Sequence, residues 1–524
     1  MPQETRSSEV EPAALSTATP EAPLLRLRRA VNGISNRLVT IPFAWLAAIV
    51  VVVHILLSLW AVWINQINND GITYVVAARL FAAGETAQAL ATYRWPAYSI
   101  LIAVISRVTT FDALVAAHIL NTATTAATAL IFITMVHRHT ANRAIVLAAI
   151  VLLFANHSFN VLRGAIVRDH LFLLLLLIGV WCQLRDCRDP NLRDKAGFIG
   201  CSLAAALFRV EALAFLVLIP LLRMFFECRN SRRRVVIFTI TCLVVAAAPL
   251  GLAAWFRFNP FTEMHHLLSD ATNRIDTLRS DVLAPFAGGR AVLAYMSIVV
   301  ALTAAGLIKG IGLLNGALSA GGAWIWKDVQ RSDFFYLAML YLAVGAIIAL
   351  TQVFVHIVYD PPRHAAILAL VFTLPASLAL VEAFAWSKTA QPRALATVVA
   401  AVIIGLMAFG LFGGLRFYDP NRFVYTAVDW LKTNVPADTR VLSNNNQILF
   451  YGGFGGYEPT IVLAVGSAKS LEGLMDWQQY DLVVLHLRRS RLVLAEELED
   501  DLGEPIKTFE NARGDQILVF KPLR

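Results

Sequence analysis

The apolar positions of this chain come in long uninterrupted blocks, with polar residues confined to the gaps. The blocks run 41–65, 113–136, 144–156, 170–184, 196–208 and 210–225, then 235–256, 291–315, 334–356, 364–384 and 394–415. A helix needs about 20 residues to cross a hydrocarbon core of ~30 Å. The pattern therefore predicts a polytopic α-helical membrane protein with about eleven transmembrane helices. Arg209 and Glu211 break the 196–225 block into two short spans.

The gaps carry their own patterns. The first, 66–112, is long, and its stretch 71–84 repeats apolar residues at helical spacing through Tyr74, Ala77, Ala78, Leu80 and Phe81. That predicts an amphipathic helix lying on the membrane surface. Trp95-Pro96-Ala97-Tyr98 then opens a second interfacial helix over 99–108, at the depth Trp and Tyr favour. A second long loop, 256–290, holds Glu263, His265, His266, Asp270 and Asp276. After Leu415 the pattern changes to short apolar strands at 440–442, 461–465, 481–485 and 516–520, with helices at 426–434 and 491–502. Such alternation predicts a small α/β domain, 416–524, with a mostly parallel sheet. Gly452-Gly453-Phe454-Gly455-Gly456 lacks the following Lys-Ser/Thr of a phosphate loop and reads as a turn.

Composition agrees: of 524 residues 58% are hydrophobic and only 15% charged, against roughly 25% charged in soluble domains. The net charge of +8 does not indicate nucleic-acid binding. The basic residues punctuate span ends, as in Arg26-Leu27-Arg28-Arg29, His137-Arg138-His139 and Arg232-Arg233-Arg234, without interleaved aromatics. Placing these loops in the cytoplasm puts residues 1–40, a polar, disordered and basic segment, inside. It also puts loops 66–112 and 256–290 and the C-terminal domain on the outer, periplasmic face. That domain is net acidic, with 12 Lys/Arg against 15 Asp/Glu, whereas the preceding part has 32 against 21. No cleavable signal peptide precedes the first span. Cys182, Cys187, Cys201, Cys228 and Cys242 have no zinc-ribbon spacing and read as free thiols.

Charged groups recur at the outer ends of different helix pairs. They are Asp70 after the first span, Arg168-Asp169-His170 at the second outer loop, Arg209 and Glu211 at the third, and Tyr359-Asp360-Pro361-Pro362-Arg363-His364 at the fifth. Each has an ordinary reading: snorkelling for the arginines, an N-cap for Asp169, a Pro-rich connector for 359–363, a turn for Asn69-Asp70-Gly71. Their convergence on one membrane face favours a site.

These residues also match a family. Asp70-x-x-x-Tyr74-x-x-x-Ala78, followed by Tyr93-Arg94-x-Pro96-x-Tyr98 leading into a Leu/Ile-rich helix, resembles the GT-C superfamily of polyprenyl-phosphate-sugar-dependent glycosyltransferases. This group includes protein mannosyltransferases and aminoarabinose transferases. The resemblance continues through Arg168-Asp169 before a Leu-rich span, Arg209-Val210-Glu211-Ala212, Arg363-His364, and Val428-Asp429-Trp430-Leu431-Lys432-x-Asn434-x-Pro436 at the start of the outer domain. It implies a GT-C-like membrane domain over 41–415 that moves a sugar, with inversion, from a polyprenyl-monophosphate donor to a hydroxyl of a glycan, lipid or protein. By the same analogy Asp70 is the general base. Arg168, Arg209 and Arg363 suit the departing phosphate, because a guanidinium forks onto phosphate oxygens and stays charged. Asp169 and His170 position the acceptor or orient an arginine, with Tyr74, Tyr98, Glu211, Tyr359 and His364 lining the site. Where many members carry two adjacent acids in the first loop, this chain has Asn69-Asp70, which leaves a single base. No cofactor is required, and a divalent cation is compatible.

The implied location is a bacterial cytoplasmic (inner) membrane. Other classes fit less well. An O-antigen-type ligase or polymerase using a lipid diphosphate donor places its main outer loop late in the chain. A transporter or flippase requires repeated halves and charges near the midplane, and a ligand sensor leaves Asp70 without a task.

Overall fold

In hydrocarbon a backbone must satisfy its own polar groups, so apolar runs of this length become helices. The computed structural model describes residues 41–64, 66–227, 276–277, 280, 285, 288–356, 366–389, 393–414, 422–436, 438–454, 479–491, 498–499 and 502–521. The 235–256 span, nearly all of loop 256–290, residues 1–40, Tyr359, Arg363, His364 and the 461–465 strand lie outside the described residues. The chain divides into two compact units, Met1–Leu46 and Ala47–Arg524.

The helices that carry the apolar blocks are α1 (Phe43–Ile64), α5 (Ala113–His139), α6 (Arg143–Phe154), α8 (Asp169–Arg188), α9 (Leu192–Ala206), α10 (Ala212–Glu227), α11 (Ala291–Ile311), α14 (Asp333–His356), α15 (Ala366–Thr389) and α16 (Arg393–Gly414). Between them lie α2 (Asn69–Ala83), α3 (Thr86–Thr92), α4 (Ala97–Thr109), α7 (His157–Asn160), α12 (Leu313–Ile325) and α13 (Lys327–Gln330). Six are long and apolar enough to span a bilayer among the described residues, and four further apolar helices are shorter. The protein is a multi-pass membrane protein. The sequence predicts α2 and α4 within two residues at each end, and misses the short α3.

The gap between the 291–315 and 334–356 blocks contains most of α12. Its small and polar face packs on α15, the most buried span. Asn315 Nδ2 donates to Thr373 Oγ1 at 2.9 Å, and Ser319 Oγ to Phe372 O at 3.0 Å. A Cβ on Gly322 would stand 2.4 Å from Ala379 Cβ, so only glycine permits this approach. Small residues bring helices together in membranes, but they dilute the hydropathy by which spans are recognised.

Helices α8 and α9 pair closely, since Gly197 leaves room for the Cys182 thiol, 2.8 Å from where a Cβ would sit. At the C-terminal end of α8 two buried acids are compensated. Asp186 takes Arg223 at 3.0 Å and Lys195 at 3.2 Å, and Asp194 takes Arg185. Asp169 opens the same helix, about 25 Å away at 1.5 Å per residue. The two charge clusters thus occupy opposite ends of a membrane-length helix. Cys182, Cys187 and Cys201 are free thiols.

The C-terminal segment forms helices α17 (Arg422–Asn434) and α18 (Asn446–Gly452) and strands β1 (Val441–Ser443), β2 (Leu482–Leu487), β3 (Lys507–Glu510) and β4 (Gln516–Phe520). The sheet order is β1-β2-β4-β3. Among the described strands β1 and β2 pair in parallel, and β2–β4 and β3–β4 are antiparallel. This corrects the mostly parallel expectation. The β3–β4 hairpin turns through Asn511 to Asp515, with Gly514 at positive φ (+84°), and the exposed residues of β3 lack the apolar signal of a strand. Both sheet faces are covered. Val484, Ile517 and Val519 meet Val424, Ala427, Val428 and Leu431 of α17 on one side, and Val483, Leu485, Leu518 and Phe520 meet Leu498 and Leu502 on the other.

Candidate active site

Three connections meet at the Asp169 end of α8, and a polar bond joins each to the next. The first bond starts at Asn68, the N-cap of α2. Its side chain does not cap the helix. Instead Nδ2 donates to Ile166 O at 3.2 Å and Oδ1 accepts from Ile166 N at 2.8 Å. Gly71 sits at this crossing, where a Cβ would stand 2.8 Å from Asn68 Oδ1 and 2.9 Å from Ile166 Cβ. Asp70 therefore lies in the first turn of a helix rather than in a turn, two residues beyond the clamp. Arg168 lies two residues beyond Ile166.

The second bond is Trp95 Nε1 donating to Leu207 O at 2.6 Å. Leu207 follows α9, where terminal carbonyls lack helical partners. The third joins Arg209 to Asp169. Arg209 Nη1 holds Asp169 Oδ1, while Nη2 and Nε fork onto Glu211 at 2.5 and 3.3 Å. Asp169 is fully buried and Arg209 is 5% exposed. Buried charges of this kind persist only when paired and hydrogen-bonded. Burial alone would push the Arg209 pKa down; the Asp169 and Glu211 carboxylates outweigh it and hold it above its ordinary value. Asp169 is not an N-cap, since Arg168 occupies that position without a capping bond. Its task is to hold Arg209.

Tyr93 lies at the centre of these groups. Its ring is 5.0 Å from that of Tyr74, which in turn is 5.2 Å from Tyr98. The Arg168 guanidinium stands over the Tyr93 ring at 5.9 Å. Burial raises the Tyr93 phenol above its usual range. Arg168, the Tyr74 hydrogen bond and Arg209 act against that rise, and Asp70 adds to it. One phenol thus feels Asp70, Arg168 and Arg209 together, and it stays neutral at physiological pH. Arg168 Nε is buried and has no hydrogen-bond partner among the described residues.

Other expected residues serve as framework. Tyr98 is 1% exposed; its hydroxyl donates to Asn121 Oδ1 at 2.6 Å, and Asn121 Nδ2 donates to Ala165 O at 2.7 Å. His170 places Nε2 3.0 Å from Leu162 O and Nδ1 3.3 Å from Thr125 Oγ1. Both its ring nitrogens are thereby engaged by protein. Tyr359, Arg363 and His364 lie outside the described residues.

Sequence reasoning passes over Asn68, Trp95, Asn121 and Arg163 as site residues. Arg163 is buried and donates to His54 O at 3.1 Å and Asn160 Oδ1 at 2.5 Å, with no carboxylate paired to it among the described residues. It fixes the segment that carries Ile166 and Arg168 against α1. A buried arginine in a polar connection between spans is the signal that marks it. Among the described residues no His, Cys, Asp or Glu side chains gather as a metal-holding group.

No protein-family model matches the chain, and no curated protein matches it in sequence. Solved structures do. The chain is similar to the crystal structure of ArnT from Cupriavidus metallidurans bound to undecaprenyl phosphate, at 11% identity and a TM-score of 0.50, over 91% of this chain and 98% of that one. It is also similar to the archaeal oligosaccharyltransferase AglB from Archaeoglobus fulgidus in complex with an inhibitory peptide and a dolichol-phosphate. There the identity is 12% and the TM-score 0.45, over 84% of this chain and 69% of that one. The chain shares its fold with the ArnT structure along nearly the full length of both.

Proposed function

We propose that the chain is an inverting glycosyltransferase. It transfers a sugar from a polyprenyl-monophosphate donor to a hydroxyl of a glycan, lipid or protein at the outer face of the cytoplasmic membrane. One observation carries this reading: the Asn68–Ile166 bonds join the segment that carries Asp70 to the segment that carries Arg168, whose guanidinium stands over the half-buried Tyr93 ring. The fold shared with ArnT, whose crystal structure holds undecaprenyl phosphate, agrees with a lipid-phosphate donor.

In this mechanism the acceptor oxygen attacks the anomeric carbon from the face opposite the phosphate. A C–O bond forms as the anomeric C–O(phosphate) bond breaks, and Asp70 takes the acceptor proton. The polyprenyl monophosphate leaves with the bonding electron pair, and Arg168 meets the charge that develops on it. Among the described residues its Nε is buried without a hydrogen-bond partner, so it can bond an incoming oxygen without giving up a hydrogen bond. Preorganised charge of this kind is usually the largest catalytic term. Arg209 is held by Asp169 and Glu211 and acts by fixing those acids. Arg363 remains a second candidate phosphate ligand. A phosphate leaving group needs no separate general acid, and this chemistry calls for no resident metal.

The test is a deletion strain. Its membranes should accumulate one polyprenyl-phosphate sugar and lack one conjugate. The wild-type chain should restore that conjugate and Asp70→Asn should not. Normal lipids and conjugates in the deletion strain would overturn the reading.

A further inference from the structure

Helix α18 of the C-terminal domain reaches the connection that carries Asp70. Tyr451 Oη accepts from Ile67 N at 3.0 Å, and Gln447 Nε2 donates to Ile67 O at 2.7 Å. Both backbone polar groups of Ile67 are therefore satisfied by side chains 380 and 384 positions away. A buried peptide left without these partners is costly, and Ile67 is 2% exposed. Ile67 directly precedes Asn68, which holds Ile166, and stands three residues before Asp70.

The clamp is itself rooted. Asn445 Oδ1 caps α18 by accepting from Gln447 N at 2.9 Å. Ile448 is buried in the sheet core, and Tyr451 and Leu449 pack against that core. Tyr425 Oη of α17 donates to Tyr451 Oη at 3.3 Å. A second contact runs in parallel, with the Arg79 guanidinium of α2 5.1 Å from the centre of the Phe450 ring. The sheet domain therefore grips the chain at Ile67, just before α2, and again at Arg79 in the later part of α2, and neither grip uses the Asp70 carboxylate.

We propose that Tyr451 and Gln447 are positioning residues for the transfer reaction: by fixing the Ile67 peptide they set where the Asp70 carboxylate stands. The role rests on the reading of Asp70 as the base. It makes the C-terminal domain part of the catalytic machinery, acting through the backbone rather than on the substrate. Loss of the clamp lets the first turn of α2 shift, and misplacement of a catalytic group by about 1 Å costs on the order of a hundredfold in rate.

The experiment uses the full-length protein in nanodiscs. The variants are Tyr451→Phe, Gln447→Leu and the pair. The donor is the lipid extracted from the deletion strain, and undecaprenyl phosphate is the binding probe. In the pair, kcat should fall on the order of tenfold to a hundredfold, while the donor KM and undecaprenyl phosphate affinity stay at wild-type values. Amide exchange at residues 67–71 should rise, while exchange in β2 and β4 stays unchanged. Wild-type kcat in the pair, or a kcat loss matched by lost undecaprenyl phosphate binding, would overturn the role. Should the pair unfold, Tyr451→Phe alone, which removes one hydroxyl, carries the same test. Full transfer by Asp70→Asn would remove the base assignment and this role with it. Full transfer by the pair beside an inactive Asp70→Asn would remove this role alone.

Discussion

Asn68 bonds both backbone polar groups of Ile166, donating to its carbonyl at 3.2 Å and accepting from its amide at 2.8 Å. Nearly a hundred residues separate the two. This one carboxamide joins the segment that carries Asp70 to the segment that carries Arg168, each residue lying two positions further along its own segment. Asn68→Ala leaves the Ile166 amide and carbonyl without these bonds, at a cost of about 1–3 kcal/mol. Thermal unfolding in detergent should show the loss, and an unchanged unfolding temperature would mean that water replaces the clamp without penalty.

Gly71→Ala tests the same crossing from its other side. The added Cβ meets Asn68 Oδ1 and Ile166 Cβ at 2.8 and 2.9 Å, closer than such contacts occur. Overpacking of this kind costs about 1–3 kcal/mol. We expect a lower unfolding temperature together with reduced transfer, because the displaced helix carries Asp70 in its first turn. A variant as stable and active as wild type would show that the crossing has slack.

Asp70→Asn keeps the shape of the side chain and removes its basicity. Loss of a general base lowers rate by roughly 10²–10⁴-fold. The variant should accumulate in the membrane at wild-type levels and restore no conjugate in the deletion strain. Sugar transfer at the wild-type rate would end the assignment.

The two arginines should separate by experiment. Arg168→Ala removes a guanidinium whose Nε has no hydrogen-bond partner among the described residues, so the protein should unfold near its wild-type temperature. Its undecaprenyl phosphate affinity should drop by tenfold or more, as expected for about 1.5–3 kcal/mol from a charge-assisted bond. Arg209→Ala leaves Asp169 buried without its partner, which costs about 3–5 kcal/mol. Arg209→Lys should rescue little, because an ammonium cannot fork onto Glu211 while holding Asp169. Equal stability of the Arg168 and Arg209 variants would contradict this division.

Trp95→Phe keeps the aromatic surface and removes only the bond to Leu207 O. A stability loss of about 1 kcal/mol should accompany a lower transfer rate, since that bond joins the first connection to the Arg209 turn. Transfer at the wild-type rate would show that the third bond, Arg209 to Asp169, holds the turn by itself.

Much of this was legible in the sequence because the bilayer enforces it. Backbone that crosses hydrocarbon must be helical, so the apolar blocks return as α1, α5, α8, α11, α14 and α15 with ends shifted by a few residues. Asp169, Arg209 and Glu211 were marked by the rarity of charge beside a span. Helix α12 was not legible, because Gly322, Ser319 and Asn315 make it pack on α15 while lowering the hydropathy that identifies a span. The antiparallel β3–β4 pairing was hidden for a related reason: most of β3 is exposed and carries no apolar alternation.

The sequence by itself determined that the chain is a multi-pass helical membrane protein, and that acids and arginines recur at the ends of separate spans. Both follow from the cost of polar groups in hydrocarbon, which acts residue by residue along the chain. Only the tertiary structure decided which of those charges meet and which are already occupied. Arg209 is held between Asp169 and Glu211, His170 is engaged at both nitrogens, and Arg168 keeps a buried Nε without a hydrogen-bond partner among the described residues. Those outcomes depend on Asn68 reaching Ile166, Trp95 reaching Leu207 and Tyr451 reaching Ile67. Such bonds join distant segments through directional polar groups, and no local periodicity encodes them.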